Sequence, residues 1–192
     1  MRLCAALVLV LVGAAGVAGS EDQWVLGGRV GPFFYGEPPP RIEDPEISGS
    51  PSDLIGGLEF AVRLGSHFEL SQHIDFIQSY DDDSSENPWL ETFWLGATGR
   101  LLAGGPDSPL VPYIGVGIDY VNWKLDLTSR KLDGGTVGFH AAAGLRVFVS
   151  HSVALTLERR YQAAEDTLRD ASVERHLDLG GTTAMLGVVY RF

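Results

Sequence analysis

Along most of the chain apolar side chains alternate with polar or small ones, a period of two that predicts strands whose two faces meet different surroundings. The clearest segment is Leu54 to Leu64. Leu54, Gly56, Leu58, Phe60, Val62 and Leu64 share one face, and Gly57, Glu59, Ala61 and Arg63 share the other. A second segment repeats the scheme, with Val137, Phe139, Ala141, Ala143, Leu145 and Val147 set against Gly138, His140, Ala142, Gly144 and Arg146. Six more segments complete a set of eight: Trp24 to Tyr35, Phe68 to Ser79, Trp89 to Ala103, Val111 to Trp123, Val153 to Tyr161 and Leu177 to Phe192.

The connections alternate in length. Gly65-Ser66-His67, Gly104 to Pro109 and Ser150-His151-Ser152 are short, whereas Gly36 to Asp53, Asp81 to Pro88, Lys124 to Gly134 and Gln162 to His176 are longer. An even set of antiparallel strands with this asymmetry predicts an all-β fold, an eight-stranded antiparallel transmembrane β-barrel with short periplasmic turns and longer external loops. Both termini then lie on the turn side. Beyond residue 20 no apolar run approaches the length of a spanning helix, so any crossing falls to strands. The fourth loop, with Glu165, Asp166, Arg169, Asp170, Glu174 and Arg175, is open to either strand extension or a short helix.

Alternation also fits a soluble lipocalin-like barrel whose apolar side chains point inward. Three features favour the reverse. The polar face carries Arg29, Arg63, Arg100, Arg146 and Arg160 together with Glu59, Glu69, Asp75, Asp119 and Glu158, in balanced numbers. Inside a barrel these groups neutralise one another, and His140 joins them; facing lipid each would cost up to several kcal/mol near the midplane. Arg159 is the exception, on the apolar face near a strand end, where it can snorkel to headgroups. Aromatic residues also gather at strand ends. Phe34, Tyr35, Tyr80, Trp89, Tyr120, Trp123 and Tyr161 border the long loops, and Trp24, Phe68, Tyr190 and Phe192 the turns, as two interfacial girdles would. The third feature is the C-terminal strand.

Composition narrows the functional classes. A net charge of −11, from 14 basic and 25 acidic residues, excludes the broad basic face that nucleic acid needs. Met1 and Arg2 precede a wholly apolar or glycine stretch, Leu3 to Ala18, ending in the small residues Ala18-Gly19-Ser20. Residues 1–20 therefore read as a cleavable secretory signal peptide, and residues 21–192 as one barrel domain. Cleavage removes Cys4, leaving no thiol and no disulfide, and with Arg2 lost the chain becomes one unit more negative.

The last residues, Gly187-Val188-Val189-Tyr190-Arg191-Phe192, with Ala184, Leu186, Val188, Tyr190 and Phe192 on one face, resemble the terminal strand of bacterial outer-membrane barrels. Pro112-Tyr113-Ile114-Gly115-Val116-Gly117 resembles a Pro-Tyr strand of the same proteins, although Asp119 interrupts the glycine run. The whole mature chain is similar to the small eight-stranded family of OmpA-type transmembrane domains, OmpX-like and opacity-like proteins. That resemblance implies an outer-membrane, porin-like cell-surface protein of Gram-negative bacteria. It implies that Leu186, Val188, Tyr190 and Phe192 act as the signal read by the barrel assembly machinery. Outer-membrane lipid and lipopolysaccharide are the other expected partners, with a further surface partner left open.

Candidate chemistry is sparse. His67, His73, His140, His151 and His176 are dispersed without metal-ligand spacing, so no metal and no cofactor is expected, and His73 and His140 read as hydrogen-bonded interior histidines. No P-loop or GxSxG elbow appears. Gly115 and Gly117 read as room for large neighbours in a narrow barrel. The acidic run Asp81-Asp82-Asp83-Ser84-Ser85-Glu86 reads as a solvated loop tip, calcium binding being its alternative, and Pro38-Pro39-Pro40 as a stiff stem. The principal role expected is structural or surface-interactive, without catalytic residues. The alternatives are a lipid A-modifying enzyme, which needs a His and Ser near the outer leaflet, a soluble carrier, and a narrow channel. Ser66-His67 and Ser150-His151-Ser152 sit in the turns, at the wrong end for that enzyme.

Overall fold

The computed structural model describes residues 23–35, 52–80, 89–105, 107–127, 130–170 and 173–192. Residues 1–20, read above as a signal peptide, Pro38-Pro39-Pro40 and the acidic run at Asp81 to Glu86 lie outside them. Ten strands follow in order: β1 (Gln23–Tyr35), β2 (Ser52–Leu64), β3 (Phe68–Tyr80), β4 (Trp89–Leu102), β5 (Leu110–Leu127), β6 (Arg130–Phe148), β7 (Val153–Ala163), β8 (Glu165–Asp170), β9 (Val173–Asp178) and β10 (Gly181–Arg191). Eight close into an antiparallel barrel in the order β1-β10-β7-β6-β5-β4-β3-β2, while β8 and β9 form a separate hairpin. No α-helix occurs among the described residues.

Closure is carried by the ends of the chain. Trp24 N donates to Phe192 O at 3.2 Å and Phe192 N to Trp24 O at 3.0 Å, and β1 pairs with β10 from Val25↔Arg191 to Tyr35↔Gly181. A closed barrel leaves no unpaired edge, which is what a strand needs where no water can satisfy its amides. The three short turns stand at one end. Gly65 has φ of 67°, the left-handed conformation glycine supplies to tight turns.

Two loops differ from the sequence expectation. The third is mostly strand: β5 and β6 pair as far as Leu127↔Arg130, with Leu125 opposite Leu132 and Lys124 opposite Asp133. Alternation continues through this segment, and opposite charges face each other across the ladder. The fourth is the β8–β9 hairpin, so Leu177, expected at the head of the last barrel strand, lies in β9 instead. The break falls at Gly180-Gly181, where Asp178 Oδ1 accepts from Gly180 N at 2.7 Å, an Asx turn that ends the ladder. The hairpin folds back on the barrel through Trp123 Nε1 donating to Asp166 Oδ2 at 2.7 Å and Thr136 Oγ1 donating to Glu165 O at 2.7 Å.

The outward face is apolar. Leu58, Ile114, Val116, Phe139, Leu157, Leu186 and Phe192 are all more than half exposed, whereas every charged group assigned to the polar face is buried inside. An exposed apolar belt around a charged interior has its stable setting in hydrocarbon, because water would gain nothing from that surface.

Candidate functional site: the filled interior

Parity along each strand sends the charged residues inward, and barrel closure stacks them into one belt. Arg29 on β1 donates to Asp75 on β3 (Nη2 to Oδ2, 2.7 Å) and to Glu59 and Glu158, each at 3.2 Å. Arg100 on β4 donates to Glu59 at 2.5 and 2.6 Å, and to Glu69 and Glu158 at 3.0 Å. Arg146 on β6 takes Glu69 at 2.5 and 2.8 Å and Glu59 at 3.2 Å. Arg160 on β7 takes Asp75 at 3.0 Å and Glu158 at 2.8 Å. Four guanidiniums thus meet four carboxylates, and Glu59 and Glu158 each bridge three arginines. Tyr113 Oη donates to Glu158 at 2.9 Å, and its ring lies under Arg100 and Arg146, with centroid distances of 4.9 and 5.3 Å.

Arg63 belongs elsewhere. It is buried but turns toward the short loops, donating to the carbonyls of Ser66 and of Gly104, the latter at 2.7 Å. It caps the turn end and makes no ion pair in the belt.

Asp119 and His140 form their own group with His73. Asp119 Oδ2 accepts from His140 Nδ1 at 2.7 Å, Asp119 Oδ1 lies 3.0 Å from His73 Nε2, and Thr98 Oγ1 lies 2.9 Å from His140 Nε2. The dispersed histidines therefore converge in one respect the spacing did not show: His73 and His140 pack edge to face with centroids 5.2 Å apart. Three ligand atoms of His73, Asp119 and His140 lie within 4.8 Å of one another, a set that could hold a metal ion. Arg160 Nη1, however, stands 3.0 Å from His73 Nε2, where its positive charge opposes a cation. Glycines make the space for this group. A Cβ on Gly96 would fall 1.9 Å from Asp119 Oδ1, and one on Gly117 2.6 Å from His140 Nε2.

The interior is polar only in its middle. At the loop end Phe33, Ile55, Ile77, Trp94, Val121, Trp123 and Met185 close over the belt with Ala164, Leu177 and Leu179 of the hairpin segment. At the turn end Val25, Ala61, Ala154 and Val189, and beside them Leu102, Val111 and Tyr113, close it from below. The residues that stand out on this face in the sequence are its charged members; the inner-face positions nearest both rims are apolar. The structure moves two girdle residues: Trp123 is buried inside and Tyr35 packs on the loop-end cluster, while Phe34 and Tyr161 remain exposed outside. The side chains of Tyr80 and Trp89 lie outside the described residues. Beside Arg29, Glu59, Tyr113 and Glu158 lies a void of about 10 Å³, room for one water at most.

The histidine and serine pairs are turn chemistry. Ser66 Oγ sits 2.5 Å from His67 Nδ1 on the exposed turn, and Ser150 Oγ accepts from Val153 N at 3.0 Å and Ser152 N at 3.3 Å. Thr98, His140 and Asp119 have the connectivity of a nucleophile, base and orienting acid, but all three are buried between the two apolar clusters. Leu186, Val188, Tyr190 and Phe192 stand exposed on the outward face of β10, at the seam with β1, with Tyr190 and Phe192 rings stacked at 6.1 Å.

A closed antiparallel barrel with an apolar exterior and an ion-paired interior is a transmembrane β-barrel. The chain belongs to the outer membrane protein beta-barrel domain family, whose sequence profile matches residues 4–192. Solved structures agree in fold. Neisserial surface protein A (NspA) superposes with a TM-score of 0.65 at 14% identity, covering 88% of this chain and 97% of that one. The outer membrane protein OprG from Pseudomonas aeruginosa gives 0.65 at 12% identity over 88% and 95%. Ail, the attachment invasion locus protein of Yersinia pestis, gives 0.57 at 12% over 89% and 98%. No curated protein matches the chain significantly.

Proposed function

We propose that this outer-membrane barrel serves a structural or surface-interaction role and opens no wide pore. The observation that carries this reading is the filled interior: a charged belt with room beside it for no more than about one water, flanked at both ends by apolar clusters. Eight strands enclose barely enough room for their own side chains, and here those side chains meet. In this reading residues 1–20 are removed on export, the short turns face the periplasm, and the long loops and the β8–β9 hairpin face outward. The exposed β10 positions 186, 188, 190 and 192 serve the assembly machinery. A lipid carrier would need an empty apolar interior, and a lipid-modifying enzyme would need a nucleophile open to the membrane.

Two measurements test it. Fractionation with gel mobility compared before and after boiling is expected to give an outer-membrane species whose mobility shifts on boiling. Planar-bilayer recordings of the refolded barrel are expected to show no conductance of porin size. A large, steady conductance would overturn the filled interior, and recovery from the soluble periplasm would overturn the membrane placement.

A further inference from the structure

Arg159 breaks the pattern of the lipid-facing surface. It is exposed on β7, six positions above Val153 at the turn end and four below Ala163 at the loop end. It therefore sits deeper than the sequence boundary at Tyr161 suggested. With a rise of about 3.3 Å per residue and a tilt of 35–45°, its Cα stands about 15 Å up an apolar band of about 25 Å. Among the described side chains, the other outward charges of the barrel wall, Glu91, Lys124, Lys131 and Asp133, are grouped near the loop rim of β4, β5 and β6. Arg159 makes no hydrogen bond or ion pair with any described residue. Left in hydrocarbon, such a charge is costly.

Its surroundings offer a way up. The register places Ala143 and Ala184 on either side of Arg159, and Ala141 and Thr182 on either side of Tyr161 one step nearer the loops. Ala141, Ala143 and Ala184 are exposed, while below them Leu155, Leu157 and Leu186 rebuild the apolar wall. The long side chain thus has a shallow, alanine-floored track toward the upper interface, bounded by the Tyr161 ring, which is 61% exposed. The guanidinium, the phenol of Tyr161 and the hydroxyl of Thr182 are three donors on adjacent outward positions. None has a hydrogen-bond partner among the described residues.

We propose that Arg159, with Tyr161 and Thr182, binds the phosphate of an anionic lipid headgroup in the leaflet at the loop end of the barrel. Charge selects the ligand: a planar guanidinium pairs with phosphate oxygens through two parallel hydrogen bonds, and burial beside hydrocarbon strengthens the contact. The position along β7 selects the source, because a headgroup phosphate lies within a snorkelling arginine's reach whereas free phosphate does not enter that depth. The proposal rests on the membrane placement above.

The test uses the full mature chain refolded into three vesicles: phosphatidylcholine alone, phosphatidylcholine with phosphatidylglycerol, and phosphatidylcholine with lipopolysaccharide. Urea midpoints are compared for wild type, Arg159→Gln, Arg159→Leu and Lys124→Gln. Wild type and Lys124→Gln are expected to gain roughly 0.5 M in midpoint when the anionic lipid is added, and both Arg159 variants to gain none. In phosphatidylcholine alone Arg159→Leu is expected to match or exceed wild type, which separates a lipid site from a structural role. Inorganic phosphate added to the phosphatidylcholine arm is expected to change nothing. Equal gains in all four proteins, an equal loss in Lys124→Gln, or the same gain from inorganic phosphate would overturn the site. A wild-type midpoint that rises with protein concentration and loses that dependence in Arg159→Leu would assign the patch to a second copy and overturn it too. Failure of every protein to fold in any vesicle would instead sink the membrane placement.

Discussion

Two regions of one interior are held by opposite physics. The middle belt is almost entirely ionic: each of Arg29, Arg100, Arg146 and Arg160 is shared among at least two carboxylates. The loop-end cluster, from Phe33 to Met185, holds no charge and packs Trp94 and Trp123 against a returning hairpin. A belt of this kind adds little over well-packed apolar residues, but it is intolerant of losing one member, since the rest stay charged and buried. The apolar cluster loses stability in proportion to the volume removed and can partly settle into the gap. The belt therefore sets which strands belong opposite one another, and the cluster covers the belt at its loop end.

That contrast yields a ranked set of substitutions, each read as a change in urea unfolding of the refolded barrel in lipid. Glu59→Ala takes the shared carboxylate from Arg29, Arg100 and Arg146 and is expected to cost about 3–5 kcal/mol, toward the upper end. Trp94→Ala empties a fully buried site and is expected to cost about 3 kcal/mol, the lower end for an aromatic, because the β8–β9 hairpin can move inward. If Trp94→Ala proves the more damaging, the belt is the more forgiving region and the comparison is reversed. Leu58→Arg, on the exposed face, is expected to cost about 2 kcal/mol in bilayers and much less in a detergent micelle that deforms around it. An equal cost in both would deny that this face meets lipid. Lys124→Ala, at the rim opposite Glu91 and Asp133, is expected to change stability by less than about 0.5 kcal/mol.

The outward and inward faces were legible from residue order because a strand's side-chain period is fixed at two by backbone geometry. Leu58 and Glu59 could not share a face, and the five acids and five arginines needed an inside. The same parity placed Ile55, Ala61, Phe33 and Met185 inward, yet a polar label for that face concealed them until depth along the barrel was known. Strand boundaries drifted where alternation ran on beyond a turn-like composition, as at Leu125 and Leu132, or where a local Asx turn cut it, as at Asp178.

Residue order by itself thus determined the existence of eight barrel strands and their two faces, because both rest on a local period of two and on turn residues. Tertiary structure alone decided which inward groups meet. His73 and Asp119 are 46 residues apart, and Arg29 and Glu158 are 129 apart, so their contacts exist only once shear and closure set the height of every strand. Height is a property of the closed barrel, and it is also what sets Arg159, outward by parity alone, six residues up β7 from Val153 rather than at the rim.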